Sequence, residues 1–404
     1  FGVNTNNRWK PLWSVGGLWN IDQESFYSWT WMPRLSLRAT YGKSGNVNNT
    51  IPAQTTITYS SSASSLGGFT NAYVNNPPNP DLRWENVSQL NSALDFASFK
   101  NRITGSFSYF RKHATDLIAI VNVDPTLGVD LLNRNAASLR TQGWELQLNS
   151  LNIDAALKWR TSLLLSSNKT KITKYSYKSN VIANLVASGQ NLSPIEGYSA
   201  YNLVSYRFMG LTSDTGSPQF SVGGEPYMNY ANLKSKVTLE DLVFHGPAVP
   251  EQFGNLRNIF TYGAWELGVN IAYRFNYFFR RESVNYSSLS SNTPLHSDYY
   301  KRWQQPNDEV TTNVPAFIYP LNSNRDQFYT NSDILVEKGD NISLQDVSLS
   351  YSIPAKSTYF KRISLQAYAR NLGIIWKATK TDLDPNGITI RIPAQFSLGV
   401  NAQF

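Results

Sequence analysis

The chain closes on QFSLGVNAQF, in which apolar and polar residues alternate without a break. Phe396, Leu398, Val400, Ala402 and Phe404 fall on one side, and Gln395, Ser397, Gly399, Asn401 and Gln403 on the other. That period belongs to a β-strand, whose successive side chains point to opposite faces. Wound as a helix, the segment would set Phe396, Val400 and Phe404 nearly opposite Leu398 and Ala402 and would have no polar face.

The same pattern recurs along the sequence. Leu35, Leu37, Ala39 and Tyr41 oppose Arg34, Ser36, Arg38 and Thr40. Leu90, Leu94 and Phe96 oppose Gln89, Asn91 and Asp95; Ile103, Phe107 and Tyr109 oppose Thr104, Ser106 and Ser108. Trp144, Leu146 and Leu148 oppose Glu145, Gln147 and Asn149, and a segment from Ile153 to Leu163 sets Trp159 against Lys158 and Arg160. Trp265 through Phe275, Val347 through Tyr351 and Ile363 through Ala369 repeat it, with Glu266, Arg274, Asp346, Arg362 and Arg370 on their polar sides. Each segment is roughly ten residues, the length of a tilted strand that crosses a bilayer.

Composition narrows the choice. The longest clean aliphatic run is Leu117 to Val121, far short of the roughly 20 residues a membrane helix needs, and the mean hydropathy is -0.35. A membrane β-barrel remains open, because only every second residue must be apolar. Aromatics make up 13% of the chain, with 11 Trp and 23 Tyr, which suits girdles at the two membrane–water interfaces. The absence of cysteine excludes disulfide scaffolds, thiol nucleophiles and thiolate metal sites. The net charge of +8 is spread along the chain with no Lys/Arg-rich run, so nucleic acid is not an expected partner. The chain starts at Phe1 with no leader, which was cleaved or lies upstream.

A soluble antiparallel sandwich alternates too. Two features weigh against it. The polar faces carry Arg, Lys, Glu and Asp, which are costly in a dry core. The expected connections are also asymmetric: short turns at 98–102, 150–152, 262–263 and 353–361, and long polar loops near 43–83, 113–139, 169–199, 276–341 and 372–390. Short turns at one end and long loops at the other are the pattern of an outer-membrane barrel. Residues 200–251, including YNLVSYRFMGL, are hard to fit into an up-and-down order.

Five segments carry a resemblance. They are LSLRATYGKSGN (35–46), NPDLRWENVSQLNSALDF (79–96), NRITGSFSYFRKHATDLI (101–118), NRNAASLRTQGWELQLNS (133–150), and the closing ARNLGIIWKATKTDLDP with FSLGVNAQF. In order and spacing the chain resembles the SusC/RagA family of TonB-dependent outer-membrane transporters of Bacteroidetes-type bacteria. The resemblance implies an all-β, antiparallel transmembrane barrel, of which residues 1–404 form the C-terminal part. The whole has about 22 strands, with the plug domain and TonB box outside this chain. It implies TonB-dependent import of large nutrients, oligosaccharides or oligopeptides, with a SusD-like surface lipoprotein as lid, the TonB complex as energy source, and the barrel assembly machinery and outer-membrane lipid as further partners. It also makes the terminal aromatic a barrel-assembly signal, carried by Leu398, Gly399, Val400 and Phe404. A non-transporting barrel that anchors a surface complex, and a soluble β-sandwich that binds carbohydrate, are the other readings.

Chemistry is sparse. His113, His245 and His296 are far apart in sequence, and Ser166–Lys169 (SSNK) falls at the end of a strand with no helix to hold it, so no enzyme activity is expected. DLDPNG (382–387) begins like a calcium loop, but its twelfth position is Pro393, so an ordinary turn is expected and no metal or other cofactor. The polar faces offer Arg34, Arg38, Asp95, Glu145, Lys158, Arg160, Glu266, Arg274, Arg362 and Arg370 toward a lumen, for substrate or plug. The 276–341 loop offers Tyr299, Tyr300, Trp303, Tyr319, Phe328 and Tyr329, whose rings either face substrate or lid or pack the loop on itself.

Overall fold

A computed structural model describes residues 3, 7–48, 50–59, 71–124, 126, 131–176, 185–186, 195–291, 293–354, 362–386 and 392–403. Its main element is an 11-stranded sheet in which each strand pairs only with its neighbours along this series. The strands are β1 (Trp13–Asn20), β2 (Arg34–Asn46), β3 (Glu85–Ser98), β4 (Ile103–Asn122), β5 (Leu131–Asp154), β6 (Leu157–Tyr175), β7 (Gln252–Tyr262), β8 (Trp265–Phe275), β9 (Asn341–Pro354), β10 (Arg362–Lys377) and β11 (Gln395–Gln403). Every pairing is antiparallel.

The register turns the alternation of single strands into two continuous faces. Directly opposed residues share a face, so Trp19, Leu37, Leu94, Phe107, Leu146, Leu165, Gly254, Tyr273, Ile342 and Trp376 form one row across ten strands with no polar group stronger than a phenol or indole. A row of the other face runs Arg34, Ala97, Thr104, Asn149, Ser162, Arg257, Asn270, Asp346, Arg370, Gln395. The apolar face is uncovered: Phe107, Leu267, Leu349 and Leu398 are all exposed. A sandwich would bury that face under a second sheet; a membrane barrel turns it to lipid.

The turns lie at 99–102, 155–156 and 263–264, with 355–361 outside the described residues. The expected turn at 150–152 is strand instead: β5 continues through it with a bulge at Asn152 and closes on β6 where Asp154 faces Lys158 across 3.9 Å. The other end carries connections at 47–84, 123–130, 176–251, 276–340 and 378–394. The expected loop at 113–139 narrows to 123–130 because β4 and β5 run for 20 and 24 residues. Beyond the bilayer both faces are wet, so the alternation stops while the backbone pairing continues.

Residues 200–251, unplaced by periodicity, cross nothing. They lie within one connection and hold two short strands, Asn202–Tyr206 paired with Leu242–Pro247, a three-stranded sheet over Phe208–Tyr227 and the helix Tyr230–Lys236. One core joins this connection to the 276–340 connection: Val204, Tyr206, Phe220, Leu233 and Leu242 from the first pack with Val284, Tyr286, Phe328, Tyr329 and Leu335 from the second. Tyr206 and Phe328 meet edge-on at 4.6 Å, and the Phe208 amide donates to Asp333 Oδ1 at 3.0 Å. Two loops have thus become one folded assembly at the long-loop end.

Candidate functional site

The polar face is a network. Arg38 donates to Asp95 at 2.9 Å. Asn255 donates to Asn270 at 3.1 Å and Asn270 to Asp346 at 2.9 Å, so the row through Arg257 and Arg370 is cross-linked over three strands. Arg370 donates to Gln395 at 2.5 Å and Arg362 to Ser352 at 2.7 Å. Glu266 accepts from Thr261 at 3.5 Å. Arg274 reaches Asn386 at 2.7 Å, tying the wall to the 378–394 connection. In that connection Asp384 Oδ1 accepts from the Asn386 amide at 2.8 Å, the local geometry of an Asx turn. Arg34, Glu145 and Arg160 stand exposed on the same face.

Sequence reasoning missed Arg257 and the whole of β7. Its alternation is blurred, with Asn258 on the apolar side and Ile259 on the polar one. Only the pairing to β6 and β8 assigns it. Asn258 is satisfied locally, accepting from Trp159 Nε1 at 2.9 Å and Thr161 at 2.7 Å, which explains how an amide is tolerated there.

The six loop aromatics divide. Phe328 and Tyr329 are buried in the shared core, and Trp303 is buried with Leu211 and Ala316. Tyr299 packs against that core and carries Arg302 over its ring at 4.0 Å. Tyr300 and Tyr319 are 83% and 87% exposed. Three of the rings therefore build the assembly and are closed to any ligand, while Tyr300 and Tyr319 remain free to touch one. Of the terminal residues, Leu398 and Val400 project from the apolar face of β11 and a Cβ added at Gly399 would meet nothing within 4 Å; Phe404 lies outside the described residues.

Charge inside the assembly is held by hydrogen bonds. Arg280 donates to the Val204 and Val186 carbonyls at 2.6 and 3.1 Å and to Asn331 at 2.8 Å, and burial pulls it down to about 10. Asp298 accepts from Arg281 at 2.6 Å and Ser283 at 2.8 Å; burial opposes its charge, and these donors hold it below the usual carboxylate range. Glu337 accepts from Thr379 and pairs with Arg281 at 3.4 Å.

His245 behaves oppositely. Burial, then the nearby Arg280, lowers it from 6.5 to about 4, and its Nε2 has no partner. A base depressed in the folded state stays neutral there while the unfolded chain takes up a proton below 6.5. Its contribution to stability is therefore complete above that pH and is lost as pH falls toward 4. The loop assembly should melt at a lower temperature at pH 5 than at pH 7, and His245→Phe should flatten that difference; calorimetry of both proteins at the two pH values checks it.

A sheet with one apolar and one charged face, short turns at one end and a folded loop assembly at the other, is the wall of an outer-membrane β-barrel. Comparison with known proteins agrees. The family model described as TonB dependent receptor-like, beta-barrel matches residues 1–372. The chain belongs to that family, whose members are receptors and transporters of the outer membrane. TonB-dependent receptor P26 of Formosa agariphila is 26% identical over 95% of this chain and 39% of its own length. TonB-dependent receptor SusC of Bacteroides thetaiotaomicron is 27% identical over 42% of this chain and 18% of its own. The solved RagAB peptide transporter superposes with a TM-score of 0.76 at 18% identity, over 100% of this chain and 44% of that one. At that identity the superposition shows the fold alone. The chain spans about two fifths of the length of P26.

Membrane placement makes the two faces unequal. Leu146→Arg, mid-strand on the apolar face, should lower barrel stability by about 2–4 kcal/mol, whereas Gln147→Arg on the polar face should cost under about 1 kcal/mol. Urea unfolding in lipid vesicles, read by Trp fluorescence, separates the two.

Proposed function

We propose that this chain forms the C-terminal part of the wall of a TonB-dependent importer of large nutrients, oligosaccharides or oligopeptides, and that it is not an enzyme. The observation that carries the reading is the polar face itself, where Asn255, Asn270 and Asp346 are hydrogen-bonded across three strands and Arg370, in register with Asp346, is bonded to Gln395 on the next. Fixed charges and amides of this kind suit a wet lumen that holds a polar plug or passes a polar cargo. Arg34, Arg38, Asp95, Glu145, Arg160, Glu266, Arg274 and Arg362 serve the same surface. The long-loop end faces the cell exterior. There Tyr300 and Tyr319 meet cargo or a SusD-like surface lipoprotein, which acts as lid. TonB acts through the N-terminal part of the protein and supplies the energy, since the outer membrane has no nucleotide pool. The β11 residues Leu398, Gly399 and Val400, with Phe404, present the chain to the barrel assembly machinery. The similarity to SusC and to a solved peptide transporter supports this reading and leaves both cargo classes in play.

The test is purification of the intact complex from the native outer membrane in detergent, with mass spectrometry of all that accompanies it. A SusD-like lipoprotein and a plug sequence are the expected result, and a trapped sugar or peptide names the cargo. A barrel that arrives with neither lid nor plug overturns the importer reading in favour of an anchoring barrel.

A further inference from the structure

On the apolar face, the row containing Tyr109 and Trp144 is followed toward the long-loop end by two rows of a different kind. The first is Tyr41, Leu90, Arg111, Gln142, Lys169 and the second Trp13, Lys43, Ser88, His113, Arg140, Lys171. Five cations, Lys43 on β2, Arg111 on β4, Arg140 on β5 and Lys169 and Lys171 on β6, thus stand together on four strands, with Leu90 and Ser88 of β3 between them, and neither row contains an acid. Arg140 and Lys171 are directly opposed, an arrangement that repels across an antiparallel pair. The Nε of Arg140 is buried without a hydrogen-bond partner. Among the described residues these five make one ion pair, Lys169 to Glu251 at 3.7 Å, and Glu251 also lies within electrostatic reach of Lys171. Five cations beside a single acid are unfavourable together unless a further anion neutralises them.

Position indicates which anion. These side chains project from the face that meets lipid, just past the Tyr109 and Trp144 rings, and aromatic rings of that kind sit at headgroup level. A soluble ligand in the lumen meets the other face. We propose that this patch binds the phosphate groups of anionic lipid in the leaflet at the long-loop end, with Arg111 and Arg140 gripping phosphate oxygens through paired N–H donors and the three lysines supplying charge. The site depends on the barrel lying in a membrane and not on import.

The experiment compares three forms of the intact complex, each purified in detergent and mixed with vesicles containing bisphosphorylated lipid A or its dephosphorylated counterpart. The forms are wild type, a variant with Lys43, Arg111, Arg140, Lys169 and Lys171 all changed to Gln, and a variant with Lys100 and Arg102 at the opposite end changed to Gln. Native mass spectrometry counts retained lipid, and the heat-dependent gel shift of folded barrels confirms folding. The expected result is about tenfold or greater loss of the phosphorylated lipid from the five-site variant, and none from the Lys100/Arg102 variant. An Arg111→Gln, Lys169→Gln variant, changed only at exposed positions, should lose part of the lipid while a Lys43→Arg, Lys169→Arg, Lys171→Arg variant retains it, and equal retention by the first of these and wild type overturns the proposal if the five-site variant does not fold. Equal retention by wild type and the five-site variant, or equal binding of the dephosphorylated lipid, overturns the proposal. Displacement by millimolar inorganic phosphate as effective as by lipid A overturns the lipid assignment, because it would mark a free-phosphate site.

Discussion

Gly254→Val is expected to abolish the folded barrel. A Cβ at this position would lie 1.9 Å from the Leu164 carbonyl oxygen and 2.8 Å from the Tyr273 hydroxyl. The first neighbour is backbone in the middle of the β6–β7 ladder and cannot rotate away. Relief requires the two strands to separate where they hold the wall together. Gly143 is built alike, with the Ser167 carbonyl oxygen 2.1 Å from an added Cβ. Overpacking of this severity costs about 3 kcal/mol or more. Gly17 in β1 is the control: an added Cβ there meets nothing within 4 Å, so Gly17→Val should fold normally. The measurement is the fraction of each protein showing heat-dependent gel mobility after refolding into detergent. A normal folded fraction for Gly254→Val would mean the two strands are spaced more widely than the structure has them.

Phe328→Ala should disconnect the loop assembly while leaving the wall intact. Phe328 is fully buried and touches Tyr206 at 4.6 Å and Phe220 at 5.7 Å, both from the other connection. Truncating a buried phenylalanine costs about 3–5 kcal/mol, comparable to the whole stability of a small folded unit. The two connections hold together through this core and through a few hydrogen bonds such as Phe208 to Asp333. The expected result is rapid cleavage by trypsin at Arg281, Lys301 or Arg302, with the gel shift of the folded wall unchanged. Arg325, at 1% exposure with one of its nitrogens bonded to the Ala316 carbonyl at 2.7 Å, belongs to the same core. Protection equal to wild type in Phe328→Ala would show that the assembly draws its stability from the wall and not from this core.

The membrane class of the protein was legible because a barrel strand is a local object. Each of Arg34–Asn46, Trp265–Phe275 and Gln395–Gln403 shows its two faces through its own side chains, since the pleat alternates them whatever the partner strand is. The charged character of one face, and with it Arg38, Asp95, Arg274 and Arg370, could be read in the same way. β7 was not legible, because Asn258 and Ile259 break its period and a neighbour's Trp159 and Thr161 satisfy the misplaced amide. The ends of β4 and β5 were not legible either, because water on both faces removes the selection for alternation.

What only the tertiary structure decided is what depends on distant residues meeting. Register placed Arg257 beside Asn270 and Asp346 and gathered five cations from four strands into one patch. The loop core did the same for rings: Phe328 and Tyr329 read in sequence like Tyr300 and Tyr319, and only burial against Tyr206 and Phe220 separates the structural pair from the exposed one. Periodicity records the environment on either side of one strand. Contact between segments more than a hundred residues apart leaves no periodic trace, because its energy lies in the pairing and not in either segment alone.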